Sequence, residues 1–159
     1  MPDMLVRLYD MPEINEEERL NKEGITIKRA MALDKSALID FVKANFWESW
    51  AGECERAIYN QPSSCYIAVR DQKILGFACY DATGLGFFGP TGTTADERGK
   101  GIGKVLLGKC LKSMKEKGYG YAIIGYVTDA VKFYEKAVNA EVIKGAVPEK
   151  SIYKNLISK

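Results

Sequence analysis

Apolar and polar residues alternate over residues 25–29, ITIKR, whereas 65–70, CYIAVR, and 73–80, KILGFACY, are two apolar runs. Period-two alternation predicts strands, and the polar joint Asp71-Gln72 between the last two predicts a hairpin. Between the first strand and that hairpin the period lengthens. Leu33, Leu38, Phe41 and Val42 recur at helical spacing behind Asp34, a residue able to cap a helix. A second short helix is expected over 50–59, ending near Pro62. Ahead of all these, residues 5–9, LVRLY, read as a short strand, and residues 12–23 as an acidic linker or surface helix.

The second half has a different rhythm. Residues 84–94, GLGFFGPTGTT, form a strand candidate broken by four glycines and Pro90, which predicts a bulge or an opened sheet. Ile102, Leu106, Cys110 and Met114 mark one face of a helix over about 101–117. A buried strand over 119–127 and a short helix over 130–138 follow, then terminal strands over 140–145 and 151–157. Hairpins early and strand–helix–strand crossovers late predict a mixed α/β fold with some parallel pairing.

Composition removes several functions. The 159 residues suit one domain, and 23 basic against 21 acidic residues leave no cationic excess for nucleic acid. No apolar run reaches membrane-spanning length, and the acidic start of the chain does not read as a signal peptide, so a cytoplasmic protein with no membrane partner is expected. Cys54, Cys65, Cys79 and Cys110 lack paired spacing and the chain has no histidine, so neither a metal site nor a disulfide scaffold is expected. The absence of histidine also excludes the commonest general base. Chemistry must rest on carboxylates, tyrosine, backbone amides or water.

The candidate binding element is Arg98-Gly99-Lys100-Gly101-Ile102-Gly103-Lys104 at a strand-to-helix junction. It has neither the ending of a nucleotide-hydrolase loop nor the spacing of a dinucleotide fingerprint. Its glycines free consecutive N–H groups, and the following helix start adds unsatisfied donors and partial positive charge. Arg98, Lys100 and Lys104 strengthen that field for a phosphate group. The acidic neighbours Asp96 and Glu97 are expected to point to solvent.

Arg98, Gly101 and Gly103 resemble the Arg/Gln-x-x-Gly-x-Gly/Ala signature by which the GCN5-related N-acetyltransferase (GNAT) superfamily holds acyl-CoA. The order of elements over 25–157 is similar too. The resemblance implies the GNAT acyl-CoA N-acyltransferase fold: a central mixed, mostly antiparallel sheet, splayed between its fourth and fifth strands and flanked by helices. It divides the chain into an N-terminal extension, 1–24, and a catalytic domain, 25–159. It implies acetyl-CoA as donor, with the diphosphate on 98–104 and the pantetheine on strand amides around Phe88, Gly92, Thr93 and Thr94.

Ala130-Val131-Lys132-Phe133-Tyr134-Glu135-Lys136 is similar to the family's A-x-x-F-Y-x-K segment, which implies that Tyr134 protonates the departing thiolate. Val127 stands where an asparagine is frequent, and Thr128 or Asp129 would supply its contact. For the base that deprotonates the amine, Asp81 is the first choice by position and Glu48 the second, with Glu53 and Glu55 also on the early helices. Phe46, Trp47, Trp50, Tyr59 and Tyr80 would wall an acceptor pocket or pack the core. The implied activity is acetyl transfer to a primary amine by direct attack, the acceptor an amino sugar or another small amine. A non-catalytic acyl-CoA sensor or interaction module is the alternative on the same fold. Dimers are frequent in the family, so a homodimer is the protein partner it implies.

Overall fold

The computed structural model describes residues 1–157, leaving residues 158 and 159 of the expected catalytic domain outside the described residues. Seven strands form one sheet: β1 (Met4–Arg7), β2 (Thr26–Arg29), β3 (Cys65–Arg70), β4 (Lys73–Tyr80), β5 (Phe87–Thr93), β6 (Tyr121–Ile124) and β7 (Glu141–Val142). Their order across the sheet is β2-β3-β4-β5-β6-β1-β7. All neighbours are antiparallel except β5 and β6, which run parallel. The fold is thus the expected mixed sheet flanked by helices.

Five helices cover it: α1 (Glu17–Lys22), α2 (Lys35–Asn45), α3 (Glu48–Tyr59), α4 (Ile102–Lys117) and α5 (Val131–Val138). None among the described residues is long and apolar enough to cross a membrane. Successive side chains of the apolar runs β3 and β4 point to opposite faces and fill two separate cores. Phe77 and Cys79 join Leu38, Val42, Cys54 and Ile58 under α2 and α3. Ala78 and Tyr80 join Leu106, Cys110, Leu111 and Met114 under α4, and that core extends to Tyr134 and Val138 of α5. The β3–β4 hairpin closes at Asp71-Gln72, with both residues at positive φ (51° and 63°), the geometry of a tight two-residue turn.

Three expectations change. Asp34 precedes α2, but its carboxylate accepts from the Met31 N–H (2.8 Å) and pairs with Lys28 (2.9 Å) instead of capping that helix. The segment 5–9 contributes to an interior strand: β1 pairs with β6 over Met4–Arg7 and with β7 on its other side, burying Met4 and Val6 completely. Residues 151–157 are not a strand but turns. The physical reason is occupancy, because the edge of β6 that a terminal strand would need is already filled by β1.

Candidate active site

The site begins where two parallel strands part. β5 and β6 pair only at Phe87↔Ile123 and Phe88↔Ile124; β5 then continues to Thr93 while β6 has ended. A register shift between Ala78 and Tyr80 on β4 marks the bulge that the glycines and Pro90 predicted. Beyond it the direction of each peptide can be followed. The Thr94 N–H donates to the Leu75 carbonyl (2.9 Å), so by alternation Gly92 turns its main-chain groups toward β4, as does the Thr94 N–H, while the Thr94 carbonyl accepts from the Glu97 N–H (3.0 Å). Thr91 and Thr93 turn theirs away, into the opening.

Among the strand residues expected to hold a ligand, Thr93 therefore faces the opening and Thr94 and Gly92 do not. Phe88 is paired on both sides, to Tyr80 and Ile124. Thr91 was missed, because its direction depends on a register that composition does not reveal. Gly92 has a different duty. A Cβ there would lie 2.5 Å from Phe46 Cζ, so the missing side chain seats an aromatic ring. Phe46 stacks on Trp50 (5.5 Å between centroids) and meets Phe77 edge-on, whereas Trp47 is largely exposed.

Thr93 leads directly into the glycine loop. Gly99 and Gly101 hold φ of 81° and 93°, conformations that L side chains rarely adopt. Gly101 caps α4 with its carbonyl, which accepts from the Val105 N–H (3.0 Å), and no side chain caps the helix. The amides of Ile102, Gly103 and Lys104 are thus first-turn donors without helical partners, at the positive pole of a 16-residue helix. A Cβ on Gly103 would sit 3.7 Å from Thr93 Oγ1, so the open strand edge and this pole adjoin.

The loop's cations are committed unequally. Lys100 Nζ binds Glu97 (2.6 Å) and Lys104 Nζ binds Glu16 (2.9 Å). Arg98 is exposed, bonds the Thr93 carbonyl through Nε (3.2 Å), and has no carboxylate partner among the described residues. Asp96 is exposed as expected, but Glu97 is buried and bonded to both Arg70 and Lys100, which hold its carboxyl below the usual range. The correction has a simple cause: a carboxylate taken from water needs paired cations, and this one has two. Thr128 and Asp129 lie exposed in the connection between β6 and α5.

Tyr134 is 7% exposed, on α5 beside the parting point. Its ring meets Phe88, the last residue of β5 paired with β6, edge-on at 6.3 Å. Burial alone pushes the phenol up to about 12, and its hydroxyl has no side-chain or main-chain partner among the described residues. It is a protonated, unengaged donor.

The carboxylates separate by environment. Asp81 is 4% exposed and accepts from Lys117 Nζ (2.7 Å), the Tyr119 hydroxyl (3.0 Å) and the Gly86 N–H (2.8 Å). It ties the 81–86 turn to the end of α4, and its oxygens are already occupied. Glu48 stands exposed at the start of α3, 3.9 Å from Lys43. Glu55 pairs with Lys35 (2.9 Å). Glu53 differs from all of these: it is half-buried, accepts a hydrogen bond from Thr83 Oγ1, and burial raises its carboxyl above the ordinary value.

Tyr153, in the turns once read as a strand, completes this corner. Its hydroxyl lies 1.9 Å from where a Gly125 Cβ would be, immediately after β6, and its ring meets Tyr126 edge-on at 5.3 Å. Burial and then the nearby charges of Asp3 and Glu53 raise its phenol. No sequence motif pointed to it.

The model of the acetyltransferase (GNAT) family matches residues 31–139. The chain belongs to the GNAT family. No curated protein matches it by sequence. Among solved structures, it is similar to a GCN5-related glucosamine N-acetyltransferase region of a fungal multi-domain GH3 β-N-acetylglucosaminidase, with TM-score 0.71 and 16% identity over 89% of this chain. It is also similar to a GCN5-related N-acetyltransferase from Sphaerobacter thermophilus, with TM-score 0.67 and 21% identity over 89% of this chain. An aminoglycoside acetyltransferase from an uncultured soil metagenomic sample gives TM-score 0.53 and 18% identity over 72% of this chain and 88% of its own. The chain spans 19% and 48% of the first two proteins' lengths. At these identities the likeness is one of fold.

Proposed function

We propose that this GNAT domain is an acetyl-CoA-dependent N-acetyltransferase that acylates a primary amine by direct attack. The observation that carries the reading is the continuity of three features: the β5 edge that β6 leaves without a partner strand at Thr91 and Thr93, the positive pole of α4 beside Thr93, and the unengaged Tyr134 hydroxyl at the parting of β5 and β6. An extended amide-bearing arm adds to a free strand edge as another strand would. A diphosphate at its far end meets the amides of 101–104 and the guanidinium of Arg98. These residues therefore fit coenzyme A in both chemistry and sequence of contacts.

The roles follow from protonation state. Glu53 accepts the proton of the acceptor ammonium, since its raised carboxyl is a stronger base than the exposed glutamates around it. A β5 main-chain N–H turned into the opening stabilises the oxyanion that develops as nitrogen attacks the thioester carbon. As the carbon–sulfur bond breaks, Tyr134 gives its proton to sulfur. A thiol ordinarily titrates near ~8.5, well below a phenol at about 12, but the burial that raises Tyr134 also disfavours a free thiolate in the same cleft. The two therefore shift together, and transfer remains accessible.

The acceptor enters from the α3 face, past Trp47, Glu53 and Tyr153. A carboxylate flanked by aromatic and hydroxyl groups suits a small cationic amine, and an amino sugar is the favoured class. The glucosamine N-acetyltransferase region that shares the fold supports that choice. The test is thiol release from acetyl-CoA over a panel of amines including glucosamine and simple alkyl amines. Amine-dependent release supports the enzyme. Tight CoA binding without release on any amine makes the chain an acyl-CoA-binding module instead.

A further inference from the structure

The N-terminal segment does more than supply β1. Residues 14–20 lie along α4 and reach the loop before it, touching the helix at Lys104, Gly108 and Lys109. Ile14 packs where a Gly108 Cβ would be (3.0 Å), Glu17 pairs with Lys109 (3.0 Å), and Glu16 pairs with Lys104 (2.9 Å). Leu20 anchors the segment by complete burial in the core under α4. At the end of this line Arg19 Nη2 donates to the Lys100 carbonyl (2.7 Å), and Nη1 lies 3.5 Å from Glu23. The same Nη2 stands 3.0 Å from where a Gly101 Cβ would be, so the guanidinium lies directly against the loop.

We propose that Arg19 is a positioning residue for diphosphate binding, and that segment 14–20 is a clasp holding the glycine loop in its binding conformation. This rests on the reading of the loop as the coenzyme A diphosphate site. The argument is geometric. In a planar trans peptide the carbonyl and the N–H point in opposite directions. Holding the Lys100 carbonyl outward on Arg19 therefore turns the Gly101 N–H inward, toward the first-turn amides of 102–104. Neither neighbour can do this job. Glycine at 99 and 101 leaves the peptide free to flip, and the Lys100 side chain is drawn aside by Glu97.

The clasp also explains why an acidic stretch lies beside an anion site. Glu16 and Glu17 neutralise Lys104 and Lys109 on the outer face of α4, and Arg19 returns a positive charge at the loop itself. Binding strength then comes from oriented amides and Arg98, with the lysines of the loop held in pairs.

The test compares Arg19→Ala, Arg19→Lys and Ile14→Ala by calorimetric CoA affinity, KM for acetyl-pantetheine (which lacks the diphosphate), and Tm. Arg19→Ala should weaken CoA about tenfold, the worth of one charge-assisted hydrogen bond, with Tm and the acetyl-pantetheine KM little changed. Arg19→Lys, still able to donate one bond to the Lys100 carbonyl, should recover most of the affinity. Ile14→Ala, which loosens the far end of the clasp but leaves the Arg19 bond in place, should lower Tm and weaken CoA by less than Arg19→Ala does. Wild-type protein that fails to bind CoA overturns the site and the clasp with it. Wild-type protein that binds CoA while Arg19→Ala binds it equally well overturns the clasp alone.

Discussion

Gly125→Ala tests whether Tyr153 closes the acceptor side of the cleft. The added Cβ would lie 1.9 Å from the phenol oxygen and 2.9 Å from Cζ. Non-bonded heavy atoms settle at about 3.5 Å, so the ring must withdraw by roughly 1.5 Å. Gly125 does not occupy the left-handed region, so alanine brings no backbone strain and the whole effect is this collision. Overpacking of this kind costs about 1–3 kcal/mol, and each kcal/mol lowers Tm by about 2–4 °C for a chain of this size. Because the collision is with one side chain, the assay is a double-mutant cycle in thermal unfolding: Gly125→Ala, Tyr153→Ala and the pair. With Tyr153 removed, Gly125→Ala should cost close to nothing, so the coupling energy should match the single-mutant cost. Gly125→Ala should also change the amine KM and leave CoA affinity alone. Equal cost of Gly125→Ala in both backgrounds refutes the placement of Tyr153.

Four more perturbations separate stability from function. Gly103→Ala should strengthen α4 by up to about 1 kcal/mol through helix propensity, yet weaken CoA binding by placing a methyl group beside Thr93 over the first-turn amides; calorimetry beside thermal melts checks both. Glu53→Gln should raise Tm near neutral pH and lower kcat/KM. A carboxyl raised by burial binds its proton more tightly folded than unfolded, so stability falls as pH climbs from the unfolded value through the raised one. The same substitution should remove the low-pH limb of kcat/KM, read from a pH profile. Asp81→Asn should destabilise through the Lys117 and Tyr119 contacts, with kcat per folded molecule preserved, whereas the exposed Glu48→Gln should stay within about 0.5 kcal/mol of wild type.

The parts legible in the sequence are those that local chemistry specifies. The broken strand at 84–94 announced a bulge because glycine and Pro90 cannot sustain an ordinary ladder, and the loop at 98–104 announced a tight turn into a helix because its glycines precede an apolar-faced run. Tyr134 was found through a resemblance, and its environment is that of a protonated phenol. What stayed hidden depends on contacts distant in sequence. Whether residues 5–9 or 151–157 would fill the edge of β6 is a competition between two short apolar runs of similar promise, decided by tertiary packing. Glu97 looked solvated until Arg70, 27 residues away, was brought to it. Asp81 looked like a base until Lys117 and Tyr119 closed on it, and Glu53 gained its character only by burial against Thr83. Registers such as Thr94 on Leu75 decide which amides face the opening, and no composition encodes them.

The most direct test of the account is single-turnover acetyl transfer by Tyr134→Phe beside its CoA affinity. The substitution removes one hydroxyl that makes no hydrogen bond within the described protein, and it keeps the ring against Phe88. The account predicts a chemical step slower by about a hundredfold or more, with CoA affinity and Tm essentially those of wild type. Tyr134→Phe turning over at the wild-type rate would contradict it.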